Sequence, residues 1–228
     1  MNQRKLEAAA KRAAGVQQRS HRPTQRRCAE DIESGSNRAS FRSRFELRES
    51  DADSGQLHFS GYATVYEAGY EMYDWYGPYT EIVSAGAASV TLNRSDLDVP
   101  LVLGHDSMRR IARTTNGTLT LSEDEHGVLV DAPSLDAEDH DVAYIAPKLR
   151  SGLIDEMSFM FRITAGHWSP DYTEYRIDAF DIHRGDVAIV GYGANPSTAG
   201  SGLRAANDLQ RARLRSLLDV ELALTRTA

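Results

Sequence analysis

Between Leu57 and Val190 the large apolar residues fall in short runs, β-branched and aromatic in character, each broken by Gly, Asp, Asn or Ser. A chain patterned this way folds into sheets, because runs this short suit strands and are too short for most helices. The runs are Leu57–Tyr66, Tyr79–Val83, Val99–Leu103, Thr118–Leu121, Val128–Val130, Met157–Ile163, Tyr175–Ile182 and Val187–Val190, with a shorter alternating piece from Phe45 to Arg48. Thr118–Leu121 and Val128–Val130 flank Ser122–Gly127, which predicts a hairpin turning near Gly127. A loop is expected over Gly166–Tyr172. Helix periodicity shows inside the body once, over 137–150, where Val142, Ile145 and Leu149 share a face and Gly152 stands just beyond the end. Pro147 argues for a kink or a split there, since an interior proline removes a backbone bond. The predicted class is α+β, rich in β.

The two ends differ from this body. Residues 1–44 carry 11 Lys and Arg against 4 Asp and Glu, and the remainder carries 15 against 29. Residues 1–14 are Ala-rich, with Leu6, Ala9, Ala10 and Ala13 on one face of a short helix. From Gly15 to Ser43 large apolar residues are almost absent, and such a segment cannot bury enough surface to offset its ordering entropy. We therefore divide the chain into a basic, largely disordered arm (1–44), a folded body (45–200) and an amphipathic helix (201–228). Leu203, Ala206, Leu209, Ala212, Leu214, Leu217, Leu218, Leu222 and Leu224 stripe that helix, as a face packed on the body or as a partner contact. A basic arm on an acidic body suits a solvated extension first, and contact with an acidic protein surface or nucleic acid second. Cys28 is the single cysteine; it forms no internal disulfide and reads as an incidental tail residue of a chain in a reducing compartment. No apolar run is long enough to span a bilayer, and the N-terminus has no apolar signal core.

Of the seven histidines, His21, His58, His126, His140 and His167 read as surface or packing residues from their settings in arm, strand, turn, helix start and loop. His105 differs, because it follows the apolar run Val99–Leu103 and Gly104. A side chain at the end of a buried strand is held firmly yet can face a cleft, which is what a general base requires. Ser158 is a lone hydroxyl in Glu156-Met157-Ser158-Phe159-Met160-Phe161. Alternation puts Met157, Phe159 and Phe161 on one face and Ser158 on the other. By itself that strand is better read as holding a serine bonded to backbone. His105, Asp106, His183 and Asp186 together admit a metal cluster, but no H-E-x-x-H spacing or cysteine set exists. Gly191-Tyr192-Gly193 lacks the βαβ context of a dinucleotide site. No cofactor or metal is expected.

Taken in order, these segments resemble the prohead proteases of tailed phages. That family opens with Gly-Tyr-Ala-x-Val, matched by Gly61-Tyr62-Ala63-Thr64-Val65, and Gly86-Ala87-Ala88 stands where the family has Gly-Ala-Phe. An apolar strand ending in His-Asp is matched by Leu101–Asp106. The serine strand, Met-Ser-x-Gly-Phe after Gly-x-Ile, is matched by Gly152-Leu153-Ile154 and Met157–Phe161, with Met160 in place of glycine. A later Leu-x-Glu-Val-Ser-x-Val strand is matched by His183–Val190, with Asp186 in place of glutamate, before Ala194-Asn195-Pro196. The ordered match spans roughly residues 57–200.

The resemblance implies a herpesvirus-protease-like β-barrel with surrounding helices. It implies a serine endopeptidase that cleaves capsid-protein extensions and scaffold inside the immature capsid, in the host cytoplasm, and then cleaves itself. Partners would be the major capsid protein and scaffold segments, with further copies of the chain admitted; membrane and nucleic acid are not expected. His105, Ser158 and Asp186 would be catalytic, with His183 as the rival third member because the herpesvirus relatives use a second histidine. Gly191–Gly193 is one source of oxyanion donors. A scaffold or assembly protein of similar fold without activity is the alternative.

Overall fold

A computed structural model describes residues 3–15, 39–41, 46–49, 55–74 and 76–191. Cys28, His21, most of the arm, Tyr192–Gly193 and the 201–228 helix lie outside these residues.

The longest element pair positions everything else. Strand β10 (Glu156–Trp168) and strand β11 (Glu174–Val190) form an antiparallel hairpin through the Ser169–Thr173 turn. The runs Tyr175–Ile182 and Val187–Val190, expected as separate strands, are one strand interrupted by bulges, and the expected loop is shorter because β10 continues to Trp168. On its outer edge β10 pairs with β1 (Ala39–Phe41). β11 is long enough to serve two further strands in series. Its first half runs parallel to β5 (Gly77–Val83), which pairs with β4 (Tyr70–Asp74). Its second half runs parallel to β6 (Pro100–Leu103), which pairs with β7 (Arg110–Arg113). A second sheet has the order β2 (Glu46–Glu49), β3 (Gln56–Val65), β9 (Gly127–Asp136), β8 (Thr120–Glu123). The hairpin predicted around Gly127 is β8–β9, closed by Asp124, whose carboxylate accepts from the His126 and Gly127 N–H groups.

One apolar core lies between the sheets. Phe59, Val130 and Ala132 from the smaller sheet meet Phe159, Phe161, Val187 and Leu101 from the larger. Phe159 and Phe161 stack at 4.1 Å between ring centroids, and Phe180 closes on both. The fold is therefore α+β and β-rich, as the patterning predicts. The expected closed barrel is not present among the described residues. The strands lie in two separate sheets with the core between them, so the core is covered without the staggered closure a barrel needs.

Helix α2 is a single turn, Ser89–Leu92, and α3 spans His140–Arg150 without a break at Pro147. Its N-terminus is capped by Asp139, whose carboxylate accepts from the Asp141 and Val142 N–H groups. Its C-terminus closes with bonds from Gly152 N–H to Leu149 C=O and from Leu153 N–H to Lys148 C=O, a Schellman arrangement with Gly152 at positive φ. Val142, Ile145, Ala146 and Leu149 are buried. These caps and this apolar face carry the helix past the one bond Pro147 omits.

The Ala-rich start forms α1 (Gln3–Gly15), but it turns a different face inward from the one expected: Ala8, Ala9 and Arg12 are buried and Leu6 is exposed. Arg12 explains the rotation. Its guanidinium donates to both Asp74 carboxylate oxygens (2.7 and 2.8 Å) and to Tyr172 C=O (2.7 Å). It also lies over the rings of Trp168 (4.6 Å) and Tyr79 (5.3 Å). The helix is thus docked on the body beside β5 and is part of the fold.

Candidate active site

Strand alternation sorts the larger sheet into two faces. Val187, Ile189, Leu101 and Leu103 enter the main core, so Asp186, Ala188, Pro100 and Val102 point the other way. Ser158 lies opposite Ala188, and Met160 opposite Asp186, on that same outer face. Ser158 is fully buried and the Asp186 side chain is 8% exposed.

His105 reaches this face through an unusual turn. Gly104 and His105 both have positive φ (62° and 59°), two left-handed residues in succession. The Gly104 N–H donates to Ile189 C=O, which pins the turn to the end of β11. The turn carries the imidazole back over the sheet. A non-glycine residue in this region is strained, and strain of this kind collects at functional positions. His105 Nε2 stands 2.8 Å from Ser158 Oγ, and His105 Nδ1 stands 2.7 Å from Asp186 Oδ1. A carboxylate only accepts, so Nδ1 carries the proton and Nε2 is left to accept from the hydroxyl. The ring thus bridges Ser158 on β10 and Asp186 on β11, reaching both from the end of β6. With the imidazole 2% exposed, these bonds act in a dry setting where they are stronger than in water.

The other sequence candidates fall elsewhere. His183 Nδ1 accepts from the Asp98 N–H at 3.3 Å and does not touch His105. Asp106 accepts from the Met108 N–H within its own turn. His58 and His167 pair with Asp131 and Asp178. No group of three or more ligating side chains occurs among the described residues.

Two features that position Asp186 escape a reading of the sequence alone. Between the pairs Met160–Asp186 and Arg162–Asp181, β11 has extra residues and bulges outward, with Arg184 at φ 60°. The bulge upsets simple alternation between positions 183 and 186. Gly185 closes it: a Cβ there would lie 1.9 Å from the Met160 carbonyl oxygen. The bulge is further tied by the Arg184 N–H donating to Asp98 C=O. The Asp98 carboxylate takes two bonds from Arg113, which hold its carboxyl below the usual carboxylate range.

A hydroxyl, an imidazole and a carboxylate linked in series are the constellation of the serine hydrolases. The family model described as Caudovirus prohead serine protease matches residues 43–211, about three quarters of the chain, and the chain belongs to that family. No curated protein and no solved structure matches. No helix among the described residues is long and apolar enough to cross a membrane.

Proposed function

We propose that this chain is a serine endopeptidase of phage capsid maturation, with Ser158 as nucleophile, His105 as general base and acid, and Asp186 as the residue that orients His105. The observation that carries the reading is the unbroken relay from Ser158 Oγ through the imidazole to Asp186, in a member of a serine peptidase family.

Ser158 Oγ attacks the scissile carbonyl carbon as its proton passes to His105 Nε2. The Asp186 carboxylate, accepting from Nδ1–H, holds the tautomer and stabilises the imidazolium that forms. The imidazolium protonates the leaving amine, and the C–N bond breaks to give an acyl-enzyme. Water, deprotonated by the same nitrogen, then releases the acid product and restores Ser158. Substrates on this reading are capsid-protein extensions and scaffold segments enclosed in the procapsid, followed by the protease itself.

The test is Ser158→Ala. It removes one oxygen from a strand whose packing is set by Phe159 and Phe161 on the opposite face, so circular dichroism and thermal melting should match wild type. Cleavage of the capsid substrate and labelling by a fluorophosphonate should both disappear. Proteolysis by the folded variant at the wild-type rate refutes the assignment.

A further inference from the structure

Beside Asp186, on the same face of the sheet, a cavity of about 220 Å³ is lined by Asp98, Pro100, Arg110, Arg113, Arg184 and Gly185. It is separate from the three residues of the relay. Pro100 continues the register that places Leu101 beside Val187, so it neighbours Asp186, while Arg113 pairs with Pro100 across β6–β7. Three guanidinium groups face one carboxylate here. Asp98 is already committed to Arg113 at 2.7 Å through two bonds. Arg110 gives its Nε–H to Ser107 C=O, and among the described residues neither Arg110 nor Arg184 has a carboxylate within ion-pair distance. Arg184 is presented by the bulge at positive φ, tied at its N–H to Asp98. Arg184 on its strained, tied backbone and Arg110 on the neighbouring strand β7 bring two cations to one cleft, a receptor for an anion.

Resting on the endopeptidase reading, we propose that this cavity is a substrate subsite that receives an Asp or Glu side chain of the peptide being cut. The location sets the spacing. From Ser158 the cavity lies two strand spacings across and about two residues along, on the order of 12 Å, which an extended peptide covers in three or four residues. The volume holds a carboxylate side chain with a few waters, at about 30 Å³ per water. A nucleic-acid backbone fits less well: it needs a row of phosphate contacts, and this chain carries a formal net charge of −7.

A degenerate peptide mixture incubated with wild type, with Ser158→Ala as the blank, should show Asp or Glu enriched three or four residues from the cut bond. For a matched Glu and Gln peptide pair built on that position, kcat/KM should favour Glu by about tenfold, the size of one charge-assisted bond. The ratio should fall toward one in Arg184→Gln and in Arg110→Gln, and Arg184→Glu should turn the preference toward Lys. Ser158-dependent cleavage with no acidic preference overturns the subsite alone, as does a Glu-to-Gln ratio unchanged in both Gln variants. A DNA oligonucleotide that inhibits wild type but not Arg184→Gln, with a ratio near one, assigns the cavity to phosphate instead. A mixture with no Ser158-dependent cleavage overturns the peptidase reading, and the subsite with it.

Discussion

Replacing Gly185 with alanine tests whether the position of Asp186 depends on the close approach of two backbones. The new Cβ would lie 1.9 Å from the Met160 carbonyl oxygen and 3.0 Å from that of Ile182. Restoring a 3.0 Å separation from Met160 requires a shift of about 1.1 Å. The Met160 side is backed by the packed core of β10, so β11 yields. Asp186, the next residue, then carries the shift to its bond with His105, stretching it from 2.7 Å to roughly 3.8 Å, outside hydrogen-bond range. A 1 Å misplacement costs about 10²-fold, and loss of the orienting carboxylate up to about 10⁴-fold. The strain should also lower stability by about 1–3 kcal/mol, as overpacking does, or about 2–4 °C in Tm per kcal/mol for a chain of this size. The rate of fluorophosphonate labelling at Ser158 measures the first effect without a known substrate, and thermal melting measures the second. Labelling within about threefold of wild type at equal folded fraction would mean that the Gly185 contact does not position the site.

Three further outcomes are expected. Asp186→Asn should retain the fold and lower turnover heavily, by up to about 10⁴-fold, whereas His183→Ala should be mild; the reverse order in peptide hydrolysis removes Asp186 from its assigned role. Arg12→Leu removes the cation from an Asp74 carboxylate that is 4% exposed and keeps the Tyr76 and Gly77 N–H donors, so denaturant unfolding should show a loss of about 3 kcal/mol, moderated by those donors and as water reaches Asp74. A loss under about 1 kcal/mol would put this pair in the class of surface ion pairs. Wild-type protein on storage should trim itself within residues 16–38, seen by denaturing mass spectrometry, while Ser158→Ala should not; equal trimming in both points to a contaminating protease.

Short apolar or alternating runs made most of the sheet legible; Pro100–Leu103 and Val187–Val190 are buried on both faces and read as continuous apolar runs. Alternation also separated Ser158 from Met157, Phe159 and Phe161. Strands β4 and β7 were not legible: Tyr70–Asp74 and Arg110–Arg113 are polar or short, and only pairing with β5 and β6 defines them. His105 and Ser158 could be selected by residue type and place in their strands, and Asp186 entered through family resemblance. What held them together was hidden in contacts distant in sequence. The bulge at Arg184 and the Gly185–Met160 approach require knowledge of strand register. The inward face of α1 was misread because Arg12 counts as a solvent-seeking residue until Asp74, 62 positions later, is known to face it.

The Arg12 socket changes what a cut in the arm would do. While the chain is continuous, α1 is tethered to its socket at a high effective concentration, so it stays bound however dilute the protein is. A single cut between Gly15 and Ala39 turns that tether into a two-piece complex whose survival depends on concentration. In the crowded interior of a procapsid the pieces would remain together, and native mass would not change. On dilution the helix would leave, uncovering Asp74, Trp168 and Tyr79. The cut and its structural effect would be separated in time, with dilution as the trigger.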